Sequence, residues 1–287
     1  MIDRRHQKYV KGDKMAMTDL PKDIVVADSA TKLGPDAPGA VIVTGSHGGR
    51  YAGYLTLRVH PRAAIHNDAG VGKDAAGTAV LGMAEALGIA AATASHTSCR
   101  IGDAGDMMAR GIISHANAPA RAQGVLPGMS CRDASLLFVA ARAGKRDPEP
   151  CGENRRVLQE ATWRRRIVLI DSASLVSAED AGQIVVTASH GALVGGNARM
   201  ALQVDAFAAV FNDAGVGIED AGISRLPALD ERGIAGLTVS AASARIGDAA
   251  SAFEDGLISY VSETARQYGA RAGEPLKGRL LAWAVLA

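Results

Sequence analysis

Two Ser-His pairs mark where the chain concentrates side chains that could do chemistry. Ser46-His47-Gly48-Gly49 closes the apolar, β-branched run GAVIVTGSHGG (39–49), and Ser189-His190 closes the similar run GQIVVTASHGA (182–192). A continuous apolar run of this kind reads as a buried parallel strand. The polar residues after it then sit at the strand's carboxyl end, where open α/β sheets bind ligands. An imidazole beside a hydroxyl offers proton transfer, and Gly48 and Gly49 leave backbone N–H groups free to approach an oxyanion. The competing reading is a tight strand-to-helix turn with His47 hydrogen-bonded to backbone.

Two further polar loops follow. Asn67-Asp68-Ala69-Gly70-Val71-Gly72-Lys73-Asp74 reads as an anion-binding nest opening a helix. It has neither the P-loop spacing nor the dinucleotide-binding fingerprint. Asp68 would orient His47 or act as a base, or else cap its own turn; Lys73 would hold a carboxylate or phosphate. The third loop, Ser95-His96-Thr97-Ser98-Cys99-Arg100-Ile101-Gly102-Asp103, places Cys99 near a predicted helix N-terminus beside His96 and Arg100. Those neighbours favour a thiolate, hence a nucleophile; a buried, inert thiol is the alternative. Arg100 and Asp103 read either as an ion pair bracing the helix start or, for Arg100, as a fork for a substrate carboxylate.

The residues proposed for catalysis are therefore Cys99, His47, His96 and Asp68. Those proposed for substrate binding are Ser46, Gly48, Gly49, Asn67, Gly70, Gly72, Lys73, Ser95 and Arg100. His47, His66 and His96 all fall at strand ends, but no metal-ligand spacing is present, so neither metal nor cofactor is expected. VIVTGSHGG and TASHTSCR together locally resemble the strand pairing of caspase–haemoglobinase-type cysteine peptidases, which would set His47 opposite Cys99. The intervening strand and the NDAGVG loop depart from that pattern, so the peptidase function is not carried over.

The elements that must position these loops repeat. AAIHNDAGVG (63–72) is echoed by AAVFNDAGVG (208–217), and the stretch from His60 to Arg142 matches Asp205 to Ala287 without a gap. Strands alternating with helical stretches indicate parallel α/β units. The expected architecture is two tandem-repeated α/β units with mainly parallel sheets, related by a pseudo-two-fold, with one continuous shared sheet as the alternative. The units span residues 23–142 and 166–287. A mobile arm (1–22) precedes them, and a Pro-, Gly- and charge-rich linker (143–165) ending in a short basic helix joins them. Predicted helices include a short one between Gly49 and His60, one over 74–87 stopped by Gly88, one from Asp103 or Asp106 to about His115, and one over 134–142.

The copies differ at reactive positions. His60, His66, Lys73, His96 and Cys99 in the first face Asp205, Phe211, Ile218, Ala241 and Ala244 in the second. Either the first half holds the chemistry and the second is scaffold or lid, or the differences are drift. A one-sided site would bring Ser46, His47, Asn67, Asp68, Ser95, His96 and Cys99 to one pocket.

The 287 residues carry a net charge of +1 and 48% hydrophobic content, a balance that gives no basic excess for nucleic acid. There is no membrane-length apolar run and no secretory signal, and three dispersed cysteines suit a reducing compartment, so a cytoplasmic protein is expected. Its partner would be a small molecule, an anionic one among the candidates, with homo-oligomerisation left open. The leading function is hydrolysis of an amide-like or ester-like bond. The alternatives are an isomerase or racemase using both halves, and a non-catalytic binder of a small anion.

Overall fold

The computed structural model describes residues 20–286, so the expected N-terminal arm falls almost wholly outside the described residues. The apolar runs do become buried strands, in two separate sheets. The first contains β1 (Ile24–Ala27), β2 (Val41–His47), β3 (Ala63–Asn67), β4 (Ala90–Ala94) and β5 (Ile113–Ala116), in sequence order across the sheet. The strands run parallel except β5, which is antiparallel to β4. The second contains β6 (Arg155–Leu158), β7 (Ile167–Ile170), β8 (Ile184–His190), β9 (Ala208–Asn212), β10 (Ala235–Val239) and β11 (Ile258–Val261). Its edge strands β6 and β11 are antiparallel to an otherwise parallel sheet.

Alternate strand residues bury against different helical layers, as the two-residue period requires. Val41, Val43, Ala63, Ile65, Ala90 and Ala92 pack with Met107 of α3 (Ala104–Arg110) and Phe138 of α5 (Cys131–Phe138). Ala91, on the other face, packs with Leu57 of α1 (Arg50–Leu57) and with Val80 and Ala84 of α2 (Val80–Leu87). A short α4 (Ala118–Ala122) precedes α5. In the second sheet, Ile167, Ile184, Val186, Val210 and Leu237 pack with Phe253 of α7 (Ala249–Asp255) and Trp283 of α9 (Leu276–Val285). The opposite face packs on Leu226 and Leu229 of α6 (Arg225–Asp230), and α8 (Glu263–Gln267) follows β11. Among the described residues no helix is long and apolar enough to cross a membrane.

The two sheets are joined by their strand-end loops. Lys73 N–H donates to the Ala241 carbonyl at 2.8 Å, and Ile218 N–H to the His96 carbonyl at 2.9 Å. Arg100 pairs with Glu219 at 2.7 Å and Arg245 with Asp74 at 2.9 Å. Ala69, Ile101, Ala192, Ala214, Ala221 and Ile246 form a small apolar cluster between the sheets. Gly70 and Gly215 meet so closely that a Cβ on either would lie 2.8 Å from the other's Cα.

Several sequence expectations need correction. One shared sheet does not form. The helix expected from Asp74 begins only at Val80, because Ala69, Gly70, Val71 and Gly72 are all left-handed (φ 48° to 73°), and so are Asp74 and Ala75. The helix expected to run to His115 stops at Arg110; the chain turns at Gly111 and returns as β5. The last helix of the first half begins three residues earlier than expected, at Cys131, capped by Ser130. The expected helix at the end of the linker is absent: Arg155–Leu158 forms the edge strand β6, and the chain then turns into β7. Arg155 reaches from it to the fully buried Asp180 at 2.7 Å, and those hydrogen bonds hold the Asp180 carboxyl below its ordinary pKa against the burial that would raise it.

A candidate site between the two sheets

β2 pairs regularly with β3 as far as Val43, then shifts register so that His47 lies opposite Asn67. β8 shifts likewise, placing His190 opposite Asn212. These irregular strand ends turn both Ser-His pairs toward one pocket of about 170 Å³ lying between the sheets. The serines are anchored in the same way: Ser46 Oγ accepts the Ala30 N–H and Ser189 Oγ the Ala173 N–H, each at 2.9 Å. The two imidazoles meet edge to face with ring centroids 6.4 Å apart.

Both rings are held as neutral donors. His47 Nδ1 accepts the Gly49 N–H at 3.0 Å and His190 Nδ1 the Ala192 N–H at 3.3 Å, which leaves the proton on Nε2 in each. Burial pulls His47 down to about 4. Burial, then the Arg225 charge and the neighbouring His47, put His190 well below its ordinary value. A ring with Nδ1 engaged and Nε2 protonated can donate to a ligand oxygen; it is a poor general base.

Lys32, Glu153, Asp171 and Arg225 also line the pocket, and two of them stand out. Arg225, at the start of α6, is 4% exposed. Its Nε donates to the Ala192 carbonyl at 2.9 Å, and Nη1 to Ala201 at 2.6 Å and Met200 at 3.2 Å. The guanidinium lies over the Phe211 ring, 4.8 Å from its centroid. It makes no ion pair among the described residues, and burial lowers its pKa to about 10. Glu153, from the segment between the sheets, brings a carboxyl whose Oε1 is buried without a partner. Burial raises its pKa, against the Ser172 and Tyr51 hydroxyls beside it.

No family model, curated protein or solved structure matches this chain.

Of the residues proposed for catalysis or substrate binding, Ser46 and His47 line this pocket and the others do not; the echoed pair Ser189 and His190 lines it too. Cys99 is fully buried in the core of the first half, with its Sγ against the Ser95 carbonyl and the Asn67 amide, and burial pushes the thiol up to about 12. That environment suppresses the thiolate on which the nucleophile reading depended. The amides expected as oxyanion donors are taken: Gly48 N–H by the Asn67 carbonyl, Gly49 by His47, Gly70 by Asp68 and Gly72 by the Gly70 carbonyl. The chain's own Asp68 fills the expected nest. Asp68 orients His96 rather than His47, at 2.8 Å. Burial alone would raise the Asp68 carboxyl, but the side-chain and backbone hydrogen bonds from His96 hold it below its usual range.

Ser95 bonds Thr97 at 2.8 Å. Lys73 is paired with Asp255 at 2.8 Å, and Arg100 with Asp103, Asp106 and Glu219. The structural reading of the Arg100–Asp103 spacing is the one the geometry matches, and Arg245–Asp248 repeats it at 3.0 Å. Among the described residues no group of three or more His, Cys, Asp or Glu is placed to hold a metal ion.

Sequence reasoning missed Arg225 and Glu153. Arg225 did leave a signal, since the gapless match sets it against Val80, a charge against an apolar residue. Glu153 left none, because its segment has no echo.

Proposed function

We propose that the pocket between the sheets binds a small molecule through an anionic group, with Arg225 as the anchor. The observation that carries this is a guanidinium buried with carbonyl partners alone. A buried cation costs several kcal/mol, roughly, unless an opposite charge pairs it. Nη2 makes no hydrogen bond among the described residues, so a donor remains for a ligand oxygen. The two neutral imidazoles supply N–H donors in the same pocket, the complement an oxyanion requires.

The same reading includes a tandem duplication with a pseudo-two-fold through the Gly70–Gly215 contact. It is supported by contacts that come in pairs: Lys73 to Ala241 with Ile218 to His96, and Arg100–Glu219 with Arg245–Asp74. The site is then composite, built from both halves, and three free cysteines accord with a reducing compartment such as the cytoplasm.

Glu153 favours a catalytic extension of this reading. A carboxyl with raised proton affinity beside two fixed donors suits acid–base hydrolysis of an amide-like or ester-like bond, without the cysteine. Two-base racemisation fits less well, since both rings accept a backbone N–H at Nδ1 and carry their proton on Nε2, which leaves neither as a free base.

Titration of the protein with acetate, succinate and inorganic phosphate tests the anchor. A probe that binds the native chain should lose about a hundredfold in affinity in Arg225→Gln and keep most of it in Arg225→Lys. Equal affinity in a folded Arg225→Gln protein would sink the proposal. Glu153→Gln should leave binding in place and remove any turnover.

A further inference from the structure

A second opening lies where the two left-handed loops meet, and the echo between the halves explains it. At one corner, Asp68 Oδ1 accepts three hydrogen bonds, from Gly70 N–H at 3.1 Å, His96 N–H at 3.0 Å and the His96 ring Nδ1 at 2.8 Å. The far edge of that ring packs on Gly215, where a Cβ would lie 2.9 Å from Cδ2 and 3.0 Å from Nε2. At the other corner Asp213 Oδ1 accepts the Gly215 N–H at 3.0 Å and the Ala241 N–H at 2.8 Å. The ring is missing there, because Ala241 ends at its Cβ. Gly70 correspondingly faces only backbone, its nearest neighbours being Gly215 Cα and N and the Ala214 carbonyl.

The vacated volume belongs to an open pocket of about 520 Å³, lined by Gly70, Lys73, Asp213, Gly215, Ser240 and Ala241 among others. Asp213 is only 4% exposed. The one cation on the rim, Lys73, is held by Asp255 rather than by Asp213. Both loops keep four successive residues left-handed, Ala69–Gly72 and Ala214–Gly217. Such backbone persists only where its surroundings over-determine it, and it clusters at ligand sites.

We propose that this pocket is a second binding site, for a planar N–H-bearing ring of the imidazole class. Its N–H bonds Asp213 Oδ1 and its edge rests on Gly70, as the His96 ring does on Asp68 and Gly215. Ligand identity beyond the ring is set by the open remainder of the pocket, where Ser240 and the Gly72–Lys73 backbone are exposed to it.

Imidazole itself is the probe, followed by protein NMR at pH 8 with the full-length chain. The native protein should bind one equivalent, with shifts at Gly70, Gly215 and Ala241. Ala241→His should fill the space and abolish binding, and Asp213→Asn should weaken it about tenfold or more. His96→Ala should open the matching corner and raise the stoichiometry to two. Arg225→Gln should leave imidazole binding unchanged, which separates this site from the anion pocket. Imidazole that fails to bind, or that binds Ala241→His as well as the native chain, overturns the proposal. Should Ala241→His not fold, an unchanged affinity in folded Asp213→Asn does the same.

Discussion

His66 in β3 and Phe211 in β9 stand at matching positions of the two similar sequence stretches, in different surroundings. His66 is fully buried, its Nδ1 bonds the His47 carbonyl at 3.2 Å, and its Nε2 is buried without a partner. Burial lowers its pKa to about 4. Phe211 instead carries the Arg225 guanidinium on its face, where the first half has Val80. Val80 and Arg225 start their helices in the same way, with N–H groups donating to the Gly48 and Gly191 carbonyls. The same backbone thus supports a neutral polar residue on one side and a cation–π pair on the other. The count of reactive residues leaves an equipped first half and plain drift equally open; among the described residues, the buried cation lining the pocket comes from the second half.

Acid is the strongest way to probe this difference. His47, His66 and His190 stay neutral in the fold while the unfolded chain's histidines protonate near 6.5. The unfolded state then binds more protons, so stability present above pH 6.5 is lost as pH falls toward about 4. The loss is up to about 1.4 kcal/mol per pH unit for each histidine. Chemical denaturation from pH 7 to 4.5 should show that slope. His66→Phe, which writes the second half's residue into the first, should cut it by about a third. An unchanged slope in that variant would mean that His66 does not contribute as its burial requires.

A smaller effect is expected at the other diverged corner. His96→Ala removes the ring hydrogen bond to Asp68 and leaves two backbone donors, the arrangement Asp213 already has. Denaturation should show a loss of about 1 to 2 kcal/mol. A neutral result would mean that the imidazole only fills space.

The smallest effect belongs to the ion pairs between the halves. Glu219 bonds both Arg100 and Arg110 at 2.7 Å. It lies in solvent, so Glu219→Gln should lower the melting temperature only slightly, and the difference should vanish in high salt. A large, salt-independent drop would show the contact to be more than electrostatic.

The parts legible in the sequence were those set by local pattern. Val41–Val43 and Ala63–Ile65 are short, apolar runs bounded by turn residues and form buried strands, and Gly88 stops its helix in the left-handed conformation expected of it. The loops were not legible, because their conformation is decided by partners from the other half. Val71 and Asp74 carry no signal for positive φ; their backbone is fixed by the Asp68 carbonyl and by the facing Gly215–Ala241 surface. Cys99 shows the same limit: its neighbours in sequence suggested an activated thiol, while its neighbours in space are core residues.

The crosswise main-chain hydrogen bonds also bear on synthesis. The loop carrying Gly70 and Lys73 leaves the ribosome early, yet its partner, the Ala241 carbonyl, lies in the last fifth of the chain. The first sheet can assemble its own core while it waits, since domains and their cores form from the N-terminus onward. Its left-handed loop is held by Asn67 and Asp68 of its own half, but the Lys73 N–H stays without its Ala241 acceptor until the second sheet arrives. The nascent first half therefore carries one unfinished main-chain donor at that loop, which only the late-made second sheet completes.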